Sequence, residues 1–304
     1  MTVGIGLDIG ATKTLGVVVD DHGMIRASIR RPTAPGADGV IDTAAEVVAA
    51  LRVQVPDAEA APVGIGMPGL VDADAGAVKH AVNLDVDGDW LPIGRLLAGR
   101  VGVPVLVEND VNAATLGAVA LSGEDDLVYV SIGTGLAAGL ALDGRLRRGG
   151  HGAAGEIGHV PVDPTGLLCG CGQRGCLETV ASGSALAAAW PSGDLPPAQA
   201  IFAAAAAGDA RAVAVRDRFA AGVAAAVRVL SLAVDPRTIV LGGGVAQLGD
   251  PLLDAVAAAL RRQAADSPFL ASLDLAGRLR VVPLDHPVAA VGAALLGRPA
   301  VPVR

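Results

Sequence analysis

Two stretches of this sequence follow one plan, and that plan narrows the fold more than any other feature. "VGIGLDIGATKTLGVVVD" begins at residue 3, and "LVYVSIGTGLAAGLALDG" begins at residue 127. Each is a short apolar run, a glycine-centred break and a second apolar run. Apolar runs of this length broken by glycine read as buried strands joined by a tight turn. After the first pair, "DHG" turns the chain and "MIRASIR" (24–30) alternates like a third strand. Residues 39–55 have helical spacing, 61–69 read as a buried strand ending in a Pro-Gly turn, 91–102 as a helix, 104–110 as a strand and 111–123 as a helix. The second pair at 127–135 and 136–144 restarts the pattern, and "RLRRGGHGAAGEIGH" continues the sheet and leaves it. Helices dominate 181–233; then come a strand at 238–246, a helix over "PLLDAVAAALRRQAA", a strand at 278–284 and a last helix at 287–298. Strands alternating with helices in two restarted halves predict two α/β lobes with a ligand held between them.

The bulk numbers agree with such a chain and exclude others. At 304 residues, with 52% hydrophobic and 18% charged residues, there is enough material for two domains with large cores. A net charge of −8 and 2% aromatics speak against a nucleic-acid partner, which needs a basic face or stacking rings. "MTVGIGLDIGATKT" has no basic leader and carries Asp8 inside its apolar run, so no signal peptide is expected. The most apolar stretch, "FAAGVAAAVRVLSLAV", is too short and carries Arg228, so no membrane span is expected either. These readings predict a cytoplasmic protein with reduced thiols.

All three cysteines fall in "CGCGQRGC", residues 169–176. Disulfides fit poorly: the number is odd, and a chain this long needs no staple. Cys169, Cys171 and Cys176 instead offer three ligands of a tetrahedral zinc, with glycines that let the backbone wrap one ion. The spacing leaves His159 and His151 both open as the fourth.

Three glycine turns are suited to phosphate. Around the first, Asp8, Gly10, Thr12 and Thr14 bring backbone N–H groups and hydroxyls together, and a carboxylate beside phosphates makes sense as a contact to Mg²⁺-bound water. Lys13 lies in the same turn. Gly133, Thr134 and Gly135 form the second, and Gly242 and Gly243 belong to the third. Glu108, Asn109 and Asp110 stand where a strand runs into a helix. Asp110 there is either a helix N-cap or a carboxylate placed to take a proton from a hydroxyl. Glu156 and Glu178 flank the cysteine loop, where carboxylates would suit a polyol.

Taken together, "DIGATKT", "GIGMPGLVD", "VENDVNAA", "SIGTG", "GAAGEIGH" and "CGCGQRGCLE" resemble the ROK family of sugar kinases and sugar-responsive repressors, over about residues 3 to 300. The resemblance implies a two-lobed actin/hexokinase-like (ribonuclease H-like) ATPase fold with a ligand cleft between lobes. It implies residues 1–115 as a small lobe joined by a C-terminal helix at 287–304, and 116–286 as a large lobe carrying a zinc loop at 159–176. It implies ATP with Mg²⁺ as donor, a hexose acceptor, a structural Zn²⁺ and a homo-oligomer, dimer or tetramer. By the same resemblance Asp8, Gly10 and Thr12 match the first phosphate motif and Asp110 the catalytic base. Asn109, Glu156, His159 and Glu178 match sugar contacts, with Gly69 and Asn83 on the pocket's other wall. His159, Cys169, Cys171 and Cys176 match the zinc ligands, which selects His159 over His151. Ala11, Ala137 and Ala138 depart from glycines usual in the family, and "NLDVDGDWLP" is longer and more acidic than its counterpart.

The activity implied is phosphorylation of glucose to glucose 6-phosphate. N-acetylmannosamine or N-acetylglucosamine kinase is the alternative, and a non-catalytic sugar sensor of the same fold is another. A repressor is disfavoured, because the phosphate motif begins at Asp8 with no room for a DNA-binding segment and because the chain is acidic.

Overall fold

The computed structural model describes residues 3–191 and 193–296. The chain separates into two compact units. One holds residues up to Asp125, Leu140–Ala153 and the chain from Pro287; the other holds Asp126–Gly139 and Ala154–His286.

In the first unit, β1 (Gly4–Ile9) pairs antiparallel with β2 (Lys13–Val19), and β2 with β3 (Ile25–Pro32). Helix α1 (Gly36–Gln54) follows. It buries Val40, Ile41, Ala44, Val47, Val48 and Leu51 on one stripe, as three- and four-residue spacing requires. Strand β4 (Val63–Met67) lies parallel to β1. It ends at Met67, and the expected Pro-Gly turn follows, with Gly69 at φ +105°. A small antiparallel ribbon, β5 (Leu70–Asp72) and β6 (Ala77–Lys79), had no counterpart in the sequence reading. Helix α2 (Ile93–Val101), strand β7 (Val105–Asn109, parallel to β4) and helix α3 (Asp110–Ser122) complete the run. The sheet order is β3-β2-β1-β4-β7.

The second sheet begins with β8 (Leu127–Ile132), β9 (Leu136–Leu142) and a two-residue β10 (Arg145–Leu146). Loops and three helices follow: α4 (Gly183–Ala189), α5 (Pro197–Ala206) and α6 (Ala210–Val234). Strand β11 (Thr238–Gly242) leads to α7 (Asp250–Ala264), α8 (Pro268–Ser272) and β12 (Leu279–Val281). That last strand is shorter than the expected 278–284. Val282 still donates to Leu241, but Pro283 has no N–H with which to extend the ladder. Order β10-β9-β8-β11-β12 repeats the first sheet's third-second-first-fourth-fifth arrangement. The restarted pattern in the sequence is thus a repeated topology. No helix among the described residues is long and apolar enough to cross a membrane.

The last helix, α9 (Val288–Ala294), belongs to the first unit; the expected continuation through 297–304 lies outside the described residues. It packs on β1, β2, β4 and α3 at backbone distance. A methyl group on Gly292 would overlap the carbonyl oxygen of Ala113, and one on Gly117 that of Val288. Gly6 and Gly64 meet the carbonyls of Ala290 and Ala293 in the same way.

Gly292→Ala should therefore destabilise, although alanine is the better helix former by about 1 kcal/mol. Overpacking against a rigid backbone costs about 1–3 kcal/mol or more, so sterics prevail. Gly99→Ala is the control, on an exposed face of α2 with nothing near a new methyl. Urea unfolding should show Gly292→Ala less stable than wild type and Gly99→Ala equal or more stable.

Candidate functional site

In the first unit the predicted residues gather at the C-terminal ends of parallel strands β1, β4 and β7. The register pairs Asp8 with Gly66, Gly66 with Glu108, and Met67 with Asn109. In α/β sheets ligands bind at this edge. Gly66 matters because a Cβ there would stand 2.9 Å from Ala113 Cβ and 3.6 Å from Asp110 Cα. With only hydrogen at 66, the start of α3 approaches the sheet and brings Asp110 within the field of Asp8. Burial pushes the Asp8 carboxyl up from 3.8 to about 6, the Asp110 charge adds to the rise, and the Lys13 ammonium partly offsets it.

The turn after Asp8 is closed by Gly10 N–H donating to Lys13 O at 2.9 Å. Thr12 and Lys13 are exposed on it. Thr14 is not available to phosphate: it is fully buried, its hydroxyl sits 3.0 Å from that of Thr33, and Thr33 donates to Gly10 O at 2.8 Å. It braces the turn from beneath.

The helix cap is Asn109, whose Oδ1 accepts from Val111 N–H at 3.0 Å and Asn112 N–H at 3.3 Å. Asp110 is the first helical residue, and its Oδ1 also accepts from Val111 N–H at 2.9 Å. Capping thus does not by itself account for an aspartate at 110. Asn109 Nδ2 donates to Gly69 O at 3.3 Å, which joins Gly69 to this cluster. Gly69 in turn lies against Lys79 and Ala81; a Cβ would come within 2.8 Å of Lys79 O. Asn83 follows, exposed, on the turn Val82–Leu84, whose Leu84 is buried.

In the second unit the other two glycine turns adjoin. Gly133 N–H donates to Gly135 O at 3.0 Å, and the start of α4 covers the turn through Gly183 N–H to Gly133 O at 2.8 Å. Thr134 is exposed. Gly242 pairs with Ser131 on β8. Gly243, at φ +84°, sits where a Cβ would be 2.6 Å from Ile132 O, and its N–H donates to the Tyr129 hydroxyl at 3.1 Å.

Glu178 belongs beside this turn. Its Oε2 accepts from Leu136 N–H at 3.0 Å, and a Cβ on Gly135 would collide with that oxygen. A Cβ on Gly158 would collide with Leu136 O, so the turn Ile157–His159 meets the same point. Glu156 is exposed at its start, with Oε2 3.9 Å from His159 Nε2.

His159, Cys169, Cys171 and Cys176 form the one metal-suited cluster found among the described residues, with ligand atoms all within 4.8 Å of one another. His159 Nδ1 is 3.7 Å from Cys169 Sγ, and Cys171 Sγ is 3.7 Å from Cys176 Sγ. Tetrahedral zinc–thiolate bonds of about 2.3 Å put ligands about 3.8 Å apart, so the donor set fits. The thiols are unbridged. His151 lies in the other unit. Gln173, which the sequence reading passed over, ties the loop by donating to His159 O at 3.1 Å and lying 3.5 Å from Cys171 Sγ. Donors from Gln173 pull the Cys171 thiol down to about 6, whereas burial pushes Cys176 up to about 12.

Over residues 4–299 the sequence matches the ROK family, and the chain belongs to that family. Glucokinase from Streptomyces coelicolor is 36% identical over 284 residues, covering 86% of this chain and 88% of that protein. N-acetylmannosamine kinase from Yersinia pseudotuberculosis is 35% identical over 249 residues, covering 81% and 84%. Among solved structures, a ROK family glucokinase from Streptomyces griseus in complex with glucose and AMPPNP superposes with a TM-score of 0.79 at 35% identity, covering 96% of this chain and 98% of that one. The fold is the actin/hexokinase-like α/β fold.

The raised Asp8 pKa has a consequence for stability. Its folded value lies above that of the unfolded chain, so its favourable contribution is full below about pH 4 and lost as pH rises through about 6. Asp8→Asn removes that loss. The stability of the ligand-free variant relative to wild type should rise between pH 4 and pH 7, by up to about 3 kcal/mol at 1.36 kcal/mol per pKa unit. Thermal melts across that range check it; a difference that does not change with pH would refute it.

Proposed function

We propose that this protein is an ATP-dependent sugar kinase that transfers the γ-phosphoryl group to a hexose hydroxyl, converting glucose to glucose 6-phosphate. The observation that carries the reading is Asp110 on the first turn of α3, beside Asp8 at the same sheet edge, with the helix already capped by Asn109. Its support from relatives is the glucokinase from Streptomyces coelicolor and the glucose- and AMPPNP-bound neighbour.

The roles follow from chemistry. A sugar hydroxyl is a weak nucleophile until its proton has somewhere to go; Asp110 orients it and accepts that proton as the bond to phosphorus forms. Asn109, whose second amide hydrogen is not needed by Gly69, offers a donor to a neighbouring hydroxyl. Glu156, His159 and Glu178 are assigned to further sugar hydroxyls, and Gly69 and Asn83 to sugar binding as well. For the nucleotide, Asp8, Gly10, Thr12 and Lys13 serve one phosphate turn, and Gly133, Thr134, Gly135, Gly242 and Gly243 the others. Mg²⁺ carried with ATP neutralises phosphate charge, and Asp8 is placed to hold its water. Zn²⁺ in the His159–Cys169–Cys171–Cys176 cluster is structural. His159 Nδ1, 3.7 Å from Cys169 Sγ, would ligate the ion and leave Nε2 for the sugar. The protein works in the cytoplasm as a dimer or tetramer.

A second reading, an N-acetylhexosamine kinase, is favoured by the 35% identity to N-acetylmannosamine kinase. A coupled ADP-release assay over glucose, mannose, fructose and the N-acetylhexosamines separates the two. Phosphorylation of glucose with the highest kcat/KM is expected. No ADP release with any sugar, together with measurable sugar binding, would leave a sensor. Asp110→Asn keeps size and most hydrogen bonds but cannot take the proton, so kcat should fall by about 10²–10⁴ while binding of sugar and ATP changes little. Near-normal kcat in that variant would reject the base.

Zinc is tested separately. Elemental analysis of protein purified without chelator should give one zinc per chain. Cys171→Ser should lose it and raise the KM for sugar, since metal binding supplies the order of such loops, about 10 kcal/mol or more. A metal-free wild type with full activity would remove the assignment.

A further inference from the structure

One buried charge has no part in the scheme above. Glu108, the last but one residue of β7, is only 2% exposed. A buried carboxylate is tolerated when its oxygens are fully supplied with donors and a counter-charge, and here they are. Oε1 accepts from the backbone N–H of Asn109 at 3.0 Å and from Nδ2 of Asn112 at 3.0 Å. Oε2 accepts from Arg148 Nε at 2.7 Å and lies 2.5 Å from Arg148 Nη2. Both partners of Oε1 flank Asp110: Asn109 precedes it, and Asn112 follows two residues later on the same first turn. Arg148 comes from a different stretch, between β10 and the point where the chain leaves the first unit after Ala153 on its way to Glu156.

We infer that Glu108 is a positioning residue for the phosphoryl-transfer reaction and Arg148 its anchor. One carboxylate oxygen holds the turn that carries Asp110; the other fastens that turn to the Arg148 segment. This rests on the reading of Asp110 as the base. Two features favour a positioning role over ordinary core filling. An apolar residue would fill the same volume without needing four donors. The four donors come from both sides of Asp110 and from one distant segment, so the charge sets an orientation. Misplacement of a reacting group by about 1 Å can cost about 10²-fold in rate, so a small rotation of this turn is enough to matter. Glu108 touches no substrate in this scheme and acts through Asp110.

The test is a cycle of kcat values. Glu108→Gln, in otherwise wild-type enzyme, should lower kcat by about 10-fold or more, with the KM for ATP little changed and zinc content intact. In the Asp110→Asn background, where no base remains to be positioned, the same change should lower the residual kcat by less than about 2-fold. Arg148→Lys keeps the charge but loses the two-pronged contact; it should lower kcat less, show the same non-additivity, and serve in place of Glu108→Gln should that variant fail to fold. Equal losses in both backgrounds, or an unchanged kcat in Glu108→Gln or Arg148→Lys, would overturn the positioning role while leaving the base in place. Near-normal kcat in Asp110→Asn alone would overturn the base itself, and the positioning role with it.

Discussion

Helix α9 lies against α3 and the first sheet with almost no side chain between them. Glycines at 6, 64, 117 and 292 let carbonyl oxygens occupy the space where methyl groups would stand. Packing at that distance leaves no room to slide, because interiors are dense and shift in discrete steps rather than by continuous deformation. Since α3 begins at Asp110, the same contact sets where that carboxylate is presented. Gly66 does the complementary job from the sheet side, giving the start of α3 access to the strand ends. Segments distant in sequence, beginning near residues 4, 63, 110 and 288, must all be placed for one side chain to be in position.

Much of this architecture was legible in the sequence because it is periodic. The stripe of α1 and the paired apolar runs at 3–20 and 127–144 announce helix and sheet by spacing alone. The repeated glycine-turned hairpin anticipated two α/β units, and their sheets turn out to share one strand order. Boundaries were less legible, for local reasons: the missing N–H at Pro283 cuts a strand that hydropathy would have prolonged to 284. The β5–β6 ribbon was missed because "LVDADAGAVK" has only three-residue strands and no sustained alternation.

The site was legible where chemistry is concentrated in few residues. Three cysteines in eight positions read as one ligand set, and the fold does bring them to His159. It was illegible where function depends on partners far apart in sequence. Nothing in "VENDVN" says that Asn109 is the cap and Asp110 the first helical residue; that follows from backbone geometry at the end of β7. Nothing pairs Glu108 with Arg148, forty residues away, until the fold places them together. Thr14, grouped with the phosphate-facing hydroxyls by proximity in sequence, points inward because a hairpin alternates its faces.

Electrostatics tie these pieces into one argument. Asp8 in β1 and Asp110 just past the end of β7 are like charges at the same edge of the sheet, and Asp8 is held at about 6 mainly by burial and then by Asp110. A fold selected for stability alone would separate them or replace one. Glu108 adds a third carboxylate to the same strand ends, and it is matched by a direct arginine contact, which Asp8 does not show among the described residues. That difference sorts their roles. The carboxylate with a permanent partner holds a turn in place. The proposed scheme uses Asp8, which has no arginine contact among the described residues, to meet a cation that arrives with its ligand. Perturbed groups of this kind gather where a protein binds or reacts. The unfavourable field between Asp8 and Asp110 fits the proposed role of this sheet edge: a magnesium ion brought in with the phosphates would relieve it.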